Sequence, residues 1–226
     1  MRLDESNKSS GSYCREVLYV QEQAGLAQIL GDAAALCIWQ RKPEPALAQL
    51  LARAADSEPF SLDEVGDAQS LDFATLLQGF AWSSDPALRL WVEDLRRLAM
   101  AYSAVTGSSA VRCRLAVVSR VDCPVFHTDW IGLRMLCTYH GSGTEFVHSH
   151  NVDRSALCQP LDTPALTNAA IVSNRLAVEQ MQAFEVGLFK GNAWPGHKGR
   201  GIVHRSPTLR PHELARIKLT IDQADG

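Results

Sequence analysis

The sequence predicts an α+β protein: a helical first half packed on an antiparallel β-sandwich or barrel in the second. Three observations carry this. Apolar residues recur at helical spacing up to about residue 107; from Val111 onward they alternate with polar residues at period two; and beyond that point strand follows strand, with Gly/Pro-rich turns separating several of them. The expected organisation is a polar, disordered tail over 1–12, a mostly helical region over 13–107, and a β unit over 108–226 with an inserted loop at 148–174, together one compact unit.

Taken in order, Ala34 to Trp39 reads as an early strand ahead of Lys42-Pro43. Leu47, Leu50, Leu51 and Ala54 follow the i, i+3, i+4, i+7 stripe of an amphipathic helix, and Ser61 with Glu64 has the spacing of a capping box opening a second one. Asp85-Pro86 can cap and open a third, whose stripe is Leu88, Trp91, Val92, Leu95, Leu98, Ala99 and Tyr102, with Gly107 as its stop. Strands are then expected over Val111 to Val117, Gly132 to Tyr139, Thr144 to Val147, Phe184 to Phe189, Gly201 to His204 and Leu214 to Ile221, with a short helix at Arg175 to Met181.

Composition bounds the function. Hydrophobic residues at 46% and charged residues at 21% describe an ordinary soluble globular chain, and a formal net charge of −3 gives no reason to expect nucleic acid or an anionic membrane as partner. The N-terminus lacks the apolar core of a secretory signal and no apolar run approaches a membrane span, so a cytoplasmic location is expected. Six cysteines without a Cys-x-x-Cys pair read as reduced thiols and exclude a zinc ribbon.

The chemistry is expected at His127-Thr128-Asp129. On a strand, residues two apart share a face, so His127 and Asp129 can grip one metal ion, and His204 at the end of Gly201-Ile202-Val203 can complete the set. Arg216 and Lys218 share a face of the last strand. This ordering, roughly over residues 110 to 222, resembles the iron(II) and 2-oxoglutarate dependent oxygenases, whose double-stranded β-helix carries His-x-Asp, a distal His and an Arg on the next strand. The resemblance implies a jelly-roll, cupin-like fold with His127, Asp129 and His204 as metal ligands and catalytic centre, Fe(II) and 2-oxoglutarate as cofactors, and Arg216 anchoring the far carboxylate of the acid in bidentate fashion. Tyr139 and Gly143-Thr144-Glu145-Phe146 are similar to the family's stretch between the two ligand regions. Lys218 stands where that family commonly has Ser or Thr, which leaves room for a different anion. The substrate, a small molecule or a peptide, is expected under the 148–174 loop.

His-Thr-Asp-Trp, Thr-Tyr-His-Gly-Ser-Gly-Thr-Glu, Lys-Gly-Asn-Ala-Trp-Pro-Gly and Val-His-Arg-Ser-Pro together also resemble a bacterial family described as a domain of unknown function, over most of the chain; that resemblance implies an association with zinc-homeostasis genes and supplies no established activity. The competing reading is therefore a cupin-like zinc-binding or metal-handling protein that keeps the same histidines and recruits Cys123 or Cys137. A third is a metal-free interaction module. His140, His148 and His150 read as solvated loop histidines, Trp194 to Gly201 as either a Gly-rich turn or an anion-binding nest, Trp130 and Trp194 as pocket walls or core, and a homodimer is compatible with the chain.

Overall fold

The computed structural model describes residues 15–57, 59–119, 121–208 and 215–224, so the 1–12 tail lies outside the described residues. Two sheets and a few helices make up the mixed α/β fold. The strands are β1 (Val17–Val20), β2 (Leu36–Trp39), β3 (Ser61–Asp67), β4 (Ala110–Val118), β5 (Leu133–His140), β6 (Glu145–Val147), β7 (Glu179–Gln180), β8 (Val186–Lys190), β9 (Val203–Arg205) and β10 (Arg216–Gln223). The α-helices are α1 (Pro45–Ala55), α2 (Phe73–Leu76), α3 (Leu88–Thr106) and α4 (Pro164–Ile171). The large sheet runs β1-β2-β8-β5-β10-β4-β3 and the small one β7-β6-β9. All pairings are antiparallel except β1 with β2. Among the described residues no helix is long and apolar enough to cross a membrane.

α3 follows its expected stripe. Trp91, Val92, Leu95, Leu98, Ala99 and Tyr102 are buried, and Gly107 ends the helix at φ 72°, where its N–H donates to Ser103 O; a side chain is strained in that conformation. The stripe packs on the outer face of the large sheet, where Ile217, Leu219 and Ile221 of β10 and Met135, Cys137 and Tyr139 of β5 meet it. By alternation, Arg216, Lys218, Thr220 and Asp222, with Arg134, Leu136 and Thr138, face the other way, toward the small sheet. A second apolar cluster, including Leu136, Phe146, Phe189 and Ile202, fills part of the space between the sheets.

Four expectations are corrected. The first half is not simply helical: β1, β2 and β3 extend the large sheet at both edges. Ser61 and Glu64 lie in β3, not in a helix cap, because the exposed edge of β4 pairs with this segment and Asp63 binds Arg112 at 2.6 and 2.8 Å. The helix expected at Arg175 to Met181 is a single 3-10 turn (Arg175–Ala177) followed by β7. An α-helix instead forms earlier, α4, opened by Thr163 as N-cap and Pro164 in its first turn. Finally, the 148–174 segment is no lid over the expected site. Its Ala156, Ile171 and Val172 pack on Phe126, Val147 and Val203, whose sequence neighbours His127, Phe146 and His204 point to the opposite side of the small sheet.

Candidate metal centre

His127 belongs to no continuous strand. It makes one isolated antiparallel bridge with His204, with N–H to O distances of 3.0 Å in both directions, and so adds a single rung beyond β9. The two imidazoles lie side by side, ring centroids 4.7 Å apart. Asp129 is reached through irregular chain rather than along a strand, which corrects the strand rationale for the His-x-Asp pair. Its carboxylate is held by the guanidinium of Arg134, Nη1 to Oδ2 2.8 Å. His127 Nε2 lies 3.7 Å from Asp129 Oδ1, and His204 Nε2 lies 3.4 Å from Oδ2. One ligand atom from each of the three residues falls within 4.8 Å of the others, and among the described residues no other group of this kind occurs.

The hydrogen bonds of the rings fix their tautomers. Nδ1 of His127 approaches Val125 O at 2.9 Å and Nδ1 of His204 approaches Ile202 O at 3.1 Å. A carbonyl only accepts, so each Nδ1 carries a proton, and Nε2 is the ring nitrogen each histidine turns toward Asp129, free to offer a lone pair whenever the ring is neutral. Burial, then the facing His204, pushes the His127 imidazole below its ordinary pKa and so favours the neutral ring. Burial acts to raise the Asp129 carboxyl, yet the hydrogen bond and charge of His204, with Arg134 and His127, hold it well below the usual carboxylate range. Two imidazole Nε2 atoms and a carboxylate thus converge on one point. A divalent cation satisfies all three acceptors at once, and the donor set fits it.

A cavity of about 570 Å³ opens onto His127 and His204 and is walled by Arg114, Arg134, Lys218 and Arg205, with Asp63 and Asp122 as its acids. Arg134 chelates Asp222 at 2.8 and 2.9 Å while binding Asp129, and Arg114 also bonds Asp222, so two guanidinium groups share that carboxylate. The buried Nε of Arg114 has no hydrogen-bond partner among the described residues. Lys218 reaches Asp122 at 2.9 Å on the cavity wall.

The remaining expected residues divide. Arg216 faces the inter-sheet side but is 1% exposed, donating to Ser142 O at 2.6 Å and Thr138 Oγ1 at 3.3 Å, and it does not line the cavity. Tyr139 is a correction: odd positions of β5 face α3, and its hydroxyl donates to Asp94 at 2.7 Å in the helix-side core. Cys137 lies on that same face, where burial pushes its thiol up to about 11, and Cys123 lines the cavity without joining the ligand group. Trp130 stands 69% exposed and Trp194 packs against the Lys190 ammonium at 5.1 Å. In the Trp194–Gly201 turn, Gly196 and Gly199 take φ 75° and 71°, and His197 is buried against Asp32 O at 3.1 Å.

Sequence reasoning missed Arg134, Arg114 and Thr220. Parity was the signal available: once β5 and β10 pair, Arg134 shares a face with Leu136 and Thr138, and Thr220 pairs across to Arg114.

No curated protein matches the chain in sequence. Among solved structures it is similar to a dioxygenase for auxin oxidation from rice, with 14% identity, 92% of this chain and 82% of that chain covered and a TM-score of 0.47. It is similar also to a prolyl-4-hydroxylase of Pseudomonas putida, with 14% identity, 88% and 97% covered and a TM-score of 0.38. A third is the dioxygenase for auxin oxidation 1 of Arabidopsis thaliana in complex with 2-oxoglutarate, with 13% identity, 92% and 91% covered and a TM-score of 0.44. The family model described as a protein of unknown function, DUF1826, matches residues 21–222, and the chain belongs to that family.

Proposed function

We propose that this protein is a non-haem iron(II) oxygenase that uses a 2-oxo acid, 2-oxoglutarate in the first instance, as co-substrate. The observation that carries the reading is the convergence of two imidazole Nε2 atoms and one carboxylate beside a cation-walled cavity. We read β8-β5-β10-β4 facing β7-β6-β9 and the His127 rung as a double-stranded β-helix whose two sheets bracket that cavity.

Two histidines and one carboxylate on one side of a metal are the donor set suited to iron(II) with open positions, and zinc structural sites instead favour closed sets rich in thiolate. When bound, iron(II) with the 2-oxo acid supplies oxidation of a substrate C–H bond by dioxygen. The protein's own residues have three tasks. His127, Asp129 and His204 hold the cation, with Val125 O and Ile202 O keeping each Nδ1 protonated. Arg134 fixes the Asp129 carboxylate. Lys218 and Arg114, which line the cavity, attract the acid, while Arg216 braces Ser142 and Thr138 at the foot of β10. The substrate is a small molecule or peptide side chain entering from the cavity mouth, not from beneath the 148–174 segment.

The test is anaerobic addition of Fe(II) and 2-oxoglutarate to purified protein. A visible charge-transfer band that needs both is expected, with succinate formed on admitting air, and His127→Ala and His204→Ala are expected to lose metal. Tight zinc binding with no 2-oxoglutarate-dependent band would sink the oxygenase reading in favour of metal handling.

A further inference from the structure

We propose that Asn192 is a positioning residue that holds the two ligand-bearing segments of the metal centre together, an inference that rests on the reading of His127, Asp129 and His204 as its ligands. It gives a purpose to the Lys190-Gly191-Asn192-Ala193-Trp194 run, which the chemistry above does not use.

Asn192 follows the end of β8 and makes three hydrogen bonds. Its main-chain N–H donates to Asp129 O at 2.8 Å, its side-chain amide nitrogen donates to Thr128 Oγ1 at 2.8 Å, and its Oδ1 accepts from Gly201 N–H at 3.0 Å. The amide orientation is fixed, because Gly201 N–H can only donate and so requires the oxygen on its side. Two of the bonds grip the His127-Thr128-Asp129 segment, and the third grips the chain that leads through Ile202 and Val203 to His204.

The neighbours of Asn192 extend the same clamp. Gly191 N–H donates to Gly132 O at 3.0 Å, Ala193 N–H to Ile131 O at 3.0 Å, and Ile202 N–H to Lys190 O at 3.0 Å. The fit is too close for side chains at the glycines. A Cβ on Gly191 would stand 2.4 Å from Ile131 O and 2.8 Å from Asp129 O, and one on Gly201 would stand 2.9 Å from Asn192 Oδ1. Apart from the single bridge between His127 and His204, no regular ladder among the described residues holds the 127–132 segment, so this clamp sets where the Asp129 carboxylate stands relative to the two imidazoles. Asn192 itself is neither a member of the ligand group nor on the cavity wall, and it acts through Thr128, Asp129 and Gly201.

The experiment uses Co(II) as an anaerobic probe on the full chain, read by calorimetric affinity and by the visible d–d spectrum, with the melting temperature of the metal-free protein measured alongside. Asn192→Ala is expected to weaken Co(II) binding by roughly 10–100-fold, the range for partners that orient metal ligands, and to change the spectrum. Thr128→Val, which removes one arm of the clamp, is expected to weaken binding by a smaller factor with a metal-free melting temperature close to wild type, a split that a merely structural role would not give. Wild-type affinity and spectrum in Asn192→Ala would overturn the proposal. Should Asn192→Ala fail to fold, Thr128→Val decides alone, and unaltered affinity there overturns it. His204→Ala runs in parallel: if it binds Co(II) as wild type does, the metal-centre reading itself fails and takes the proposal with it, whereas loss of binding in His204→Ala with an unaffected Asn192→Ala sinks only the proposal.

Discussion

Asp94, buried, and Asp129, half-buried, are both carboxylates gripped by arginine, on opposite sides of the large sheet, and they have opposite consequences. Asp94, on α3 and 6% exposed, is closed: Arg41 chelates it at 2.6 and 2.8 Å, Tyr139 donates at 2.7 Å, and Arg97 adds a further bond. Each of its oxygens faces donors. Asp129 is gripped by one guanidinium, that of Arg134, and otherwise meets Nε2 of His127 and of His204, nitrogens that become acceptors when their rings are neutral. Both carboxyls sit below their ordinary pKa, so depression alone does not separate a structural ion pair from a site. What separates them is whether acceptors face donors or face other acceptors.

The largest effect expected from breaking this contrast is on stability, at Asp94. Asp94→Ala leaves Arg41, whose side chain is 9% exposed, without its counter-charge, and the cost expected is about 3–5 kcal/mol by urea denaturation, with the Co(II) affinity of the folded fraction unaltered. Asp129→Asn should do the reverse. Metal affinity is lost, while metal-free stability falls by only about 1–2 kcal/mol, because Arg134 keeps its two bonds to Asp222. A stability loss at Asp129 as large as that at Asp94 would erase the distinction.

Acid sharpens it further. Burial acts to raise the Asp94 carboxyl, but the Arg41 hydrogen bond and charge, then Tyr139 and Arg97, bring it below its ordinary value. A group with a depressed folded pKa contributes stability that is present above its unfolded value, about 3.9, and is lost as pH falls through the folded value. Urea midpoints of the metal-free protein are therefore expected to fall as pH drops below about 4, and to fall less steeply in Asp94→Asn. Equal slopes would show that Asp94 binds protons alike in the folded and unfolded protein, so that its ion pair does not depress it. The smallest effect lies away from both carboxylates: Gly107→Ala, at φ 72°, is expected to cost about 1 kcal/mol and to leave metal binding and the acid limb untouched.

Much of this architecture was legible in the chain. The stripe of α3 and its Gly107 stop, and the strands near β4, β5, β6, β8, β9 and β10, follow from periodicity, because burial of one face imposes period 3.6 or 2 whatever the partner is. The Ser61–Glu64 pair misled, since a cap spacing is local and the pairing demand of β4 is not. Tyr139 misled for a different reason: its residue type suited an acid-binding role, but its parity with Cys137 sends it to the helix side.

The sequence by itself determined the candidate metal-ligand residue types, their order and the alternation that divides β5 and β10 into an apolar face and a charged one. It left open which face meets the helices, because alternation has no sign until something packs against it. Only the tertiary structure decided that His127 meets His204 across a single bridge, that Asp129 comes to them through irregular chain, and that Arg134 and Asn192 hold it there. Those are contacts between residues far apart in sequence, set by how the two sheets close on one another, and no local period encodes them.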